Sequence, residues 1–397
     1  MKIAVVGLGA VGSQVYWNLS RIAGIEVHGF ESAYVGHPFA GAGGESRLYR
    51  NLEADDLGYL PIIHRSQELW KELETKSGRQ LRKLKGVLYV GKADSTQVSN
   101  SLLSATELDT PHEVLSTRDI ADRFPQFKPR TDEVGLWDIE AGVISPELTI
   151  TAAVGLGVAN GGQLHEYARV DHLESRGNGV RLHTAGSISD FDRIVVACGG
   201  WTTQLVPDLR DFVVTKRLTS AWYPGTRDNA LQGLPPFMRA APRYCYGIPT
   251  ADGKTVKLGL GFNDHHSTGN PNSVERSLSG EAARTEIERF HPIVTDFLPV
   301  LQPNPVRLNT YIESYTRTMH EYLRLHPDDP NIAILTGFSG HGFKISPAIG
   351  EAGAQLITKG RSHLNLDFLS RAAPLFDIED IETGTTTHNP LTSTERA

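Results

Sequence analysis

Cysteine is nearly absent. Cys198 and Cys245 are the only two in 397 residues, which excludes a disulfide framework and a cysteine-built metal site. Long apolar runs are missing: none approaches the ~18 residues that span a bilayer, so an integral membrane protein is not expected. No block of Lys or Arg occurs. The 39 Lys+Arg face 46 Asp+Glu for a net charge of −7, so neither nucleic acid nor an anionic membrane is an expected partner. Met1 runs straight into Lys2-Ile3-Ala4-Val5-Val6-Gly7. That leaves no room for a signal peptide and gives the expectation of a cytoplasmic protein. Glycine, in contrast, is plentiful at 39 residues, a sign of tight turns or of backbone closely approached by a ligand. The length allows one large or two ordinary domains with ample core.

The first thirty residues read as strand, turn, helix, strand. Ile3 to Val6 is apolar, and Gly7-Leu8-Gly9-Ala10-Val11-Gly12 follows at once. Val15, Leu19 and Ile22 then recur at helical spacing, and residues 25–30 form a second strand ending in Glu31. This is one βαβ unit with a parallel strand pair. A Gly-rich loop covers 34–50 and an amphipathic helix about 58–76. Residues 83–142 are β-like and contain no second dinucleotide signal. The α/β rhythm returns with a helix over 146–159, a strand over 163–167 and a buried strand at 193–196 that runs into Cys198-Gly199-Gly200. A β-rich stretch over 213–325 has strands near 243–249 and 255–262. A last strand over 332–335 enters Gly337-Phe338-Ser339-Gly340-His341-Gly342-Phe343-Lys344, ahead of a helix with Ser346 as N-cap and Pro347 as first residue.

The expected fold class is therefore α/β in two domains. Residues 1–82, 143–212 and 326–385 form a Rossmann-like nucleotide-binding domain. Residues 83–142 and 213–325 form an inserted, mostly antiparallel β substrate domain. The polar tail 386–397 reads as disordered.

Gly7-x-Gly9-x-x-Gly12 sits between a strand and a helix, with Glu31 at the end of the next strand. The glycines permit a tight turn and let a pyrophosphate rest on the helix N-terminus, while Glu31 can accept from ribose hydroxyls. The motif does not separate NAD from FAD. Gly86-x-x-x-x-Gly91-Lys92 mimics a phosphate loop, but position 93 is Ala and the intervening residues are strand-like, so it is set aside. Asp264-His265-His266 reads as a solvated loop and not as a metal cluster. Lys257 shares one strand face with Gly259 and Gly261. That makes either a bare platform for a flat ring or a solvent-facing lysine on an edge strand. Arg50 and Lys344 both fall in Gly-rich loops, where two cations could grip a carboxylate.

Together these pieces resemble the monomeric sarcosine oxidase and N-methyltryptophan oxidase family of flavoenzymes over about residues 1–380. The markers are the glycine motif with Glu31, Gly44-Glu45-Ser46-Arg47-x-x-Arg50, Arg65-Ser66-Gln67-Glu68-Leu69-Trp70 and Tyr246-Gly247-x-Pro249 leading to Lys257-Leu258-Gly259. Tyr315-Thr316-x-Thr318 and Gly337 to Lys344 complete the set. The resemblance implies FAD, not NAD. It also implies oxidation of a carboxylate-bearing secondary or N-methyl amine, with O2 reduced to H2O2. Arg50 and Lys344 would bind the substrate carboxylate, Lys257 would assist the reaction with O2, and Tyr246 and Tyr315 would line the substrate cavity. Arg47 would sit beside the flavin ring. Gly7, Gly9, Gly12, Glu31, Ser46, Gly199, Gly340, Gly342 and Lys344 would meet the cofactor. No metal is implied, the partners are the small amine and O2, and a monomer or weak dimer is expected. A dehydrogenase using another acceptor and a non-catalytic FAD-binding subunit are the alternatives.

This sequence departs from the family in two places. The covalent flavin cysteine would fall two residues before Tyr315, where the chain has Glu313, so non-covalent FAD is expected. The family's histidines fall at Ala42-Gly43 and Gly261, so a roomier, less basic site for a larger substrate is expected.

Overall fold

The computed structural model describes residues 1–370; the expected tail and the stretch 371–385 lie outside the described residues. One sheet has six strands in the order Tyr322–Leu325, Ile332–Thr336, Arg193–Val196, Lys2–Val6, Glu26–Phe30, Gln163–His165. All neighbours are parallel except the first pair. Such a sheet must be covered on both faces. Alternation along Lys2–Val6 accomplishes this, because successive side chains point to opposite sides. Ile3 and Val5 join a core with Val15, Leu19, Ile345 and Ile349 from helices Gly12–Ser20 and Gly342–Lys359. Ala4 and Val6 join another with Val180, Leu182 and Phe191 from a three-stranded antiparallel sheet. Helices Leu60–Ser77 and Pro146–Ala159 complete the helical layer. Tyr322–Leu325 belongs to this parallel sheet, although the expected segment boundary put it with the β-rich stretch.

A second sheet of nine strands draws on 87–138 and 213–316. Its strand Thr255–Leu260 lies between Val213–Pro224 and Cys245–Pro249, with Lys257 opposite Trp222 and Ile248. Lys257 is therefore central and 1% exposed, which overturns the edge-strand alternative.

The last helix begins at Gly342, not at Ser346–Pro347. Gly340 has φ +92° and a Cβ at Gly342 would press on the Phe338 ring, so the chain turns sharply here and enters the helix earlier. Pro347 then lies inside the helix, and the buried Ser346 hydroxyl has no partner. Lys344 consequently sits in the first helical turn and not in a loop.

Candidate active site

Strand Lys2–Val6 delivers Gly7 to the sheet's C-terminal edge, where its N–H donates to Phe30 O at 2.9 Å. Gly7 has φ +85°, and a Cβ on Gly12 would overlap the Gly7 carbonyl oxygen. Gly12 is thus a close-packing glycine, outside the lining of the cavity that Gly9 faces. Gly9 has nothing within 4 Å of its would-be Cβ and faces open space. That space is a cavity of about 550 Å³ bounded by Gly7, Gly9, Glu31, Cys198, Gly199, Gly340 and Gly342.

Glu31 is held from several sides. Its carboxylate accepts from Leu8 N at 3.0 Å and Ser32 N at 2.7 Å, and it meets His37 Nε2 at 3.2 Å. Burial pushes this carboxyl up, but the His37 ring and the backbone donors outweigh it and keep it below the usual range. An ionised acceptor at the end of the second strand and an open glycine turn at the first helix fit a dinucleotide.

A smaller cavity of about 150 Å³ adjoins the first. Gly41, Arg47, Glu313, Gly340 and Phe343 line both. Arg47 is anchored by donating to the carbonyls of Ser46 at 2.9 Å and Gly43 at 2.7 Å. Beyond that shared wall the small cavity presents Arg50, Asp55, Tyr246, His265, Tyr315, His341 and Lys344.

Arg50 and Lys344 come together, but neither is a free cation. Lys344 Nζ donates to Glu53 Oε2 at 2.6 Å, and Arg50 Nη2 lies 3.6 Å from Asp55 Oδ2. Burial raises the Glu53 carboxyl, yet Lys344 and Arg50 bring it down to about 2. Burial and the neighbouring Glu53 charge lift Asp55 to about 6, against the pull of Arg50 and Lys344. Lys344 is itself aimed by helix Leu60–Ser77, since Trp70 Nε1 donates to Lys344 O at 2.8 Å.

Lys257 and Ser46 line neither cavity. Lys257 Nζ donates to Gly44 O at 2.9 Å and Ser46 O at 2.6 Å, one layer behind Arg47. The expected bare platform beside it is occupied: a Cβ on Gly259 would strike the Tyr246 ring and one on Gly261 the Tyr244 ring. The two glycines make room for the protein's own tyrosines. The extra space expected at Gly261 is therefore filled.

Nor is the cavity short of imidazoles. His265 enters from the segment expected to be a solvated loop, with Nδ1 2.8 Å from Tyr315 Oη. His341 stands 2.8 Å from Tyr59 Oη. The neighbouring His266 pairs with Glu286, and Asp264 with Arg243 and Arg289. Among the described residues no cluster of three or more His, Cys, Asp or Glu is placed to hold a metal, and no helix is long and apolar enough to cross a membrane.

Sequence reasoning missed Asp55, His265 and His341 as cavity groups, and Glu53 as the buried partner of Lys344. For the acids a signal existed: two carboxylates follow Arg50 within five residues. His265 had none, because its place depends on how the segment after Leu260 folds back.

The FAD dependent oxidoreductase family profile matches residues 2–356. Monomeric sarcosine oxidase of Streptomyces avermitilis is 31% identical over 369 residues, which cover 90% of this chain and 94% of that protein. N-methyl-L-tryptophan oxidase of Yersinia pestis is 27% identical over 375 residues, 93% of this chain and 98% of that one. Among solved structures, NikD, an unusual amino acid oxidase essential for nikkomycin biosynthesis, superposes with a TM-score of 0.79 at 23% identity, covering 92% of this chain and 96% of that one. That last likeness bears on the fold. The glycine turn, the acidic strand end and the length of the family match lead to one assignment: the chain belongs to the FAD dependent oxidoreductase family, among its amine and amino-acid oxidases.

Proposed function

We propose that the protein oxidises a small carboxylate-bearing secondary amine, N-methyl or cyclic, to an imine, with dioxygen reduced to hydrogen peroxide. One observation carries this reading. Arg50 and Lys344, remote in sequence, line a cavity that shares Arg47, Glu313 and Gly340 with the dinucleotide-sized cavity. FAD, when bound, supplies the acceptor for the hydride and the route of its electrons to O2. Residues of this chain suited to hold it are Gly7, Gly9, Glu31, Gly199, Gly340 and Gly342.

The remaining work is binding and positioning. A substrate carboxylate takes the place of Asp55 at Arg50, whose planar fork suits two oxygens. At 3.6 Å the Arg50–Asp55 contact is loose enough to exchange. Lys344 stays on Glu53 and adds its field to the same end of the cavity. Anchoring the carboxylate fixes which C–H points toward the shared wall, a positioning effect. A volume of about 150 Å³ favours a compact substrate over the larger one expected from the missing family histidines.

Non-covalent cofactor binding belongs to this proposal. Cys198 does line the large cavity, but at the Gly7 end, where its Sγ donates to Val6 O. Burial also pushes its thiol up to about 12, away from the reactive thiolate. Cys245 is fully buried in the β core. Acid precipitation should release the yellow chromophore, and colour that stays in the pellet contradicts this part.

A second reading, a dehydrogenase using a carrier, is favoured by one fact: Lys257 lines neither cavity. An anaerobic bleaching screen with small N-methyl, cyclic and D-amino acids tests the main proposal, which fails if none of them bleaches the flavin. One peroxide per substrate consumed supports the oxidase, and no peroxide supports the dehydrogenase.

A further inference from the structure

The wall between the two cavities contains a hydrogen-bonded chain of three side chains. Glu313 Oε2 lies 3.1 Å from Tyr315 Oη. Tyr315 Oη lies 2.8 Å from His265 Nδ1, and His265 Nε2 lies 3.3 Å from Leu260 O. Glu313 lines both cavities, whereas Tyr315 and His265 line the smaller one alone.

Counting protons along the chain fixes its direction. The Leu260 carbonyl can only accept, so Nε2 of His265 carries a hydrogen. Burial and the neighbouring Lys216 charge bring this imidazole down to about 3, so at neutral pH it holds one proton and Nδ1 is bare. Nδ1 must then accept from the Tyr315 hydroxyl. That hydroxyl has a single proton. Its oxygen therefore faces Glu313 as an acceptor, and Glu313 can satisfy the contact only as a carboxylic acid. The charged and titratable groups around Glu313 come from several elements: Arg47, Tyr246, His341, and Tyr315 with His265 behind it. Burial raises the Glu313 carboxyl and prevails over Arg47, His341, the Gly340 N–H and the donation that Tyr315 offers to the ionised carboxylate, all of which lower it.

We propose that Glu313 is a neutral acid in the resting protein and carries the proton of the oxidase reaction between the substrate cavity and the flavin cavity. This rests on the function proposed above. In that reaction the amine C–H breaks and its hydrogen and electron pair would reach O2 by the route that bound FAD supplies, while the nitrogen keeps its N–H as a protonated imine until Glu313 has given up its own proton. Two electrons, the C–H hydrogen and the N–H proton thus account for H2O2. The loaded acid gives its proton to the dioxygen being reduced and regains one from the nitrogen of the oxidised amine. In the ionised interval Tyr315 turns its hydroxyl to the Glu313 carboxylate, so the charge never stands without a donor.

The test uses the flavin-loaded protein with Glu313→Gln, whose amide can donate to Tyr315 but cannot release a proton. Infrared spectra in H2O and D2O should contain a protonated-carboxyl band that the variant lacks. Dithionite-reduced flavin mixed with O2 should reoxidise on the order of 100-fold more slowly in the variant, within the usual range for a lost general acid. The solvent isotope effect on that step should disappear, while anaerobic bleaching by amine stays within about threefold. Tyr315→Phe, which removes the acceptor, should shift the infrared band and serves if the Gln variant does not fold. Absence of the band in the wild type, or equal reoxidation of wild type and Glu313→Gln, overturns the inference. Because dithionite replaces the amine, the result stands apart from the substrate proposal, whose own failure is a flavin that no amine bleaches.

Discussion

Lys257 and Arg47 share one acceptor: both donate to the carbonyl oxygen of Ser46, at 2.6 and 2.9 Å. Burial, then the like charge of Arg47, push the Lys257 ammonium well below its ordinary range. An amine held this way, one residue layer behind a guanidinium on the cavity wall, would meet negative charge developing beyond that wall through a low-dielectric path. Lys257→Met should therefore slow flavin reoxidation on the order of 100-fold, the scale of one electrostatic group at a developing charge, and slow amine-driven bleaching far less. Stopped-flow absorbance of the two half-reactions decides it. Equal slowing of both would mean that Lys257 only holds the Gly44–Ser46 segment under Arg47.

Gly9 and Gly12 of the first turn should behave differently. Gly12→Ala drives a Cβ into the Gly7 carbonyl, an overpacking that costs about 1–3 kcal/mol, and should lower the melting temperature of the cofactor-free protein. Gly9→Ala meets nothing within 4 Å and should leave that melting temperature unchanged. Its methyl group projects into the cavity instead, so the Kd for FAD should rise about tenfold or more, the loss of roughly 1.4 kcal/mol of contact. Titration of apoprotein with FAD separates the two effects. Normal FAD affinity in Gly9→Ala would show that the cofactor does not approach this turn.

What the sequence made legible follows from locality. The βαβ unit, the helix Pro146–Ala159 and the strands at 193–196 and 332–335 are written in runs of a few residues whose spacing has one reading. The glycine turn is equally local. Arg50 and Lys344 could be nominated from their Gly-rich surroundings, and Tyr246 and Tyr315 from the family resemblance of the motifs around them. Pairing was not legible. Glu53 looked like any acid in a loop until the fold set it against Lys344, and Lys257 could not be assigned a partner because Gly44 and Ser46 are more than two hundred residues away. The early start of the last helix escaped because Ser346-Pro347 is a good local start signal. Tertiary contact at Phe338 and the left-handed Gly340 overrule it.

Asp55 sets a pH dependence whose sign can be worked out. Its folded value is raised to about 6 by burial and Glu53, with Arg50, Lys344 and His341 opposing. Below pH 6 Asp55 is neutral and leaves Arg50 to a bound carboxylate. Above pH 6 it is ionised and competes, and a bound carboxylate must draw a proton onto it. Affinity for a thioether carboxylate, which has no titrating amine, should therefore fall as pH rises past 6, by at most about tenfold per unit for one linked proton. Asp55→Asn should flatten that limb between pH 6 and 8. A profile identical to wild type would remove Asp55 from the binding equilibrium. The raised acid also opposes folding when ionised, so Asp55→Asn should stabilise the protein above pH 6 and have little effect below pH 4.

Arg50 gives the sharpest separation of charge from geometry. Arg50→Ala removes a charge-assisted contact to the substrate carboxylate, typically about 1.5–3 kcal/mol, and should raise KM by one to two orders of magnitude with a smaller effect on kcat at saturation. It also leaves Asp55 without its cation, so Asp55 should titrate higher and bind a proton more tightly. Arg50→Lys keeps the charge but loses the fork. It should recover part of the affinity and less of the orientation, so kcat should stay low where KM improves. The double variant Arg50→Ala with Asp55→Asn should be less impaired than the two single changes sum to, because each partner's removal makes the other's presence costly. Strict additivity in KM across that cycle would mean that the 3.6 Å contact between Arg50 and Asp55 plays no part in substrate binding.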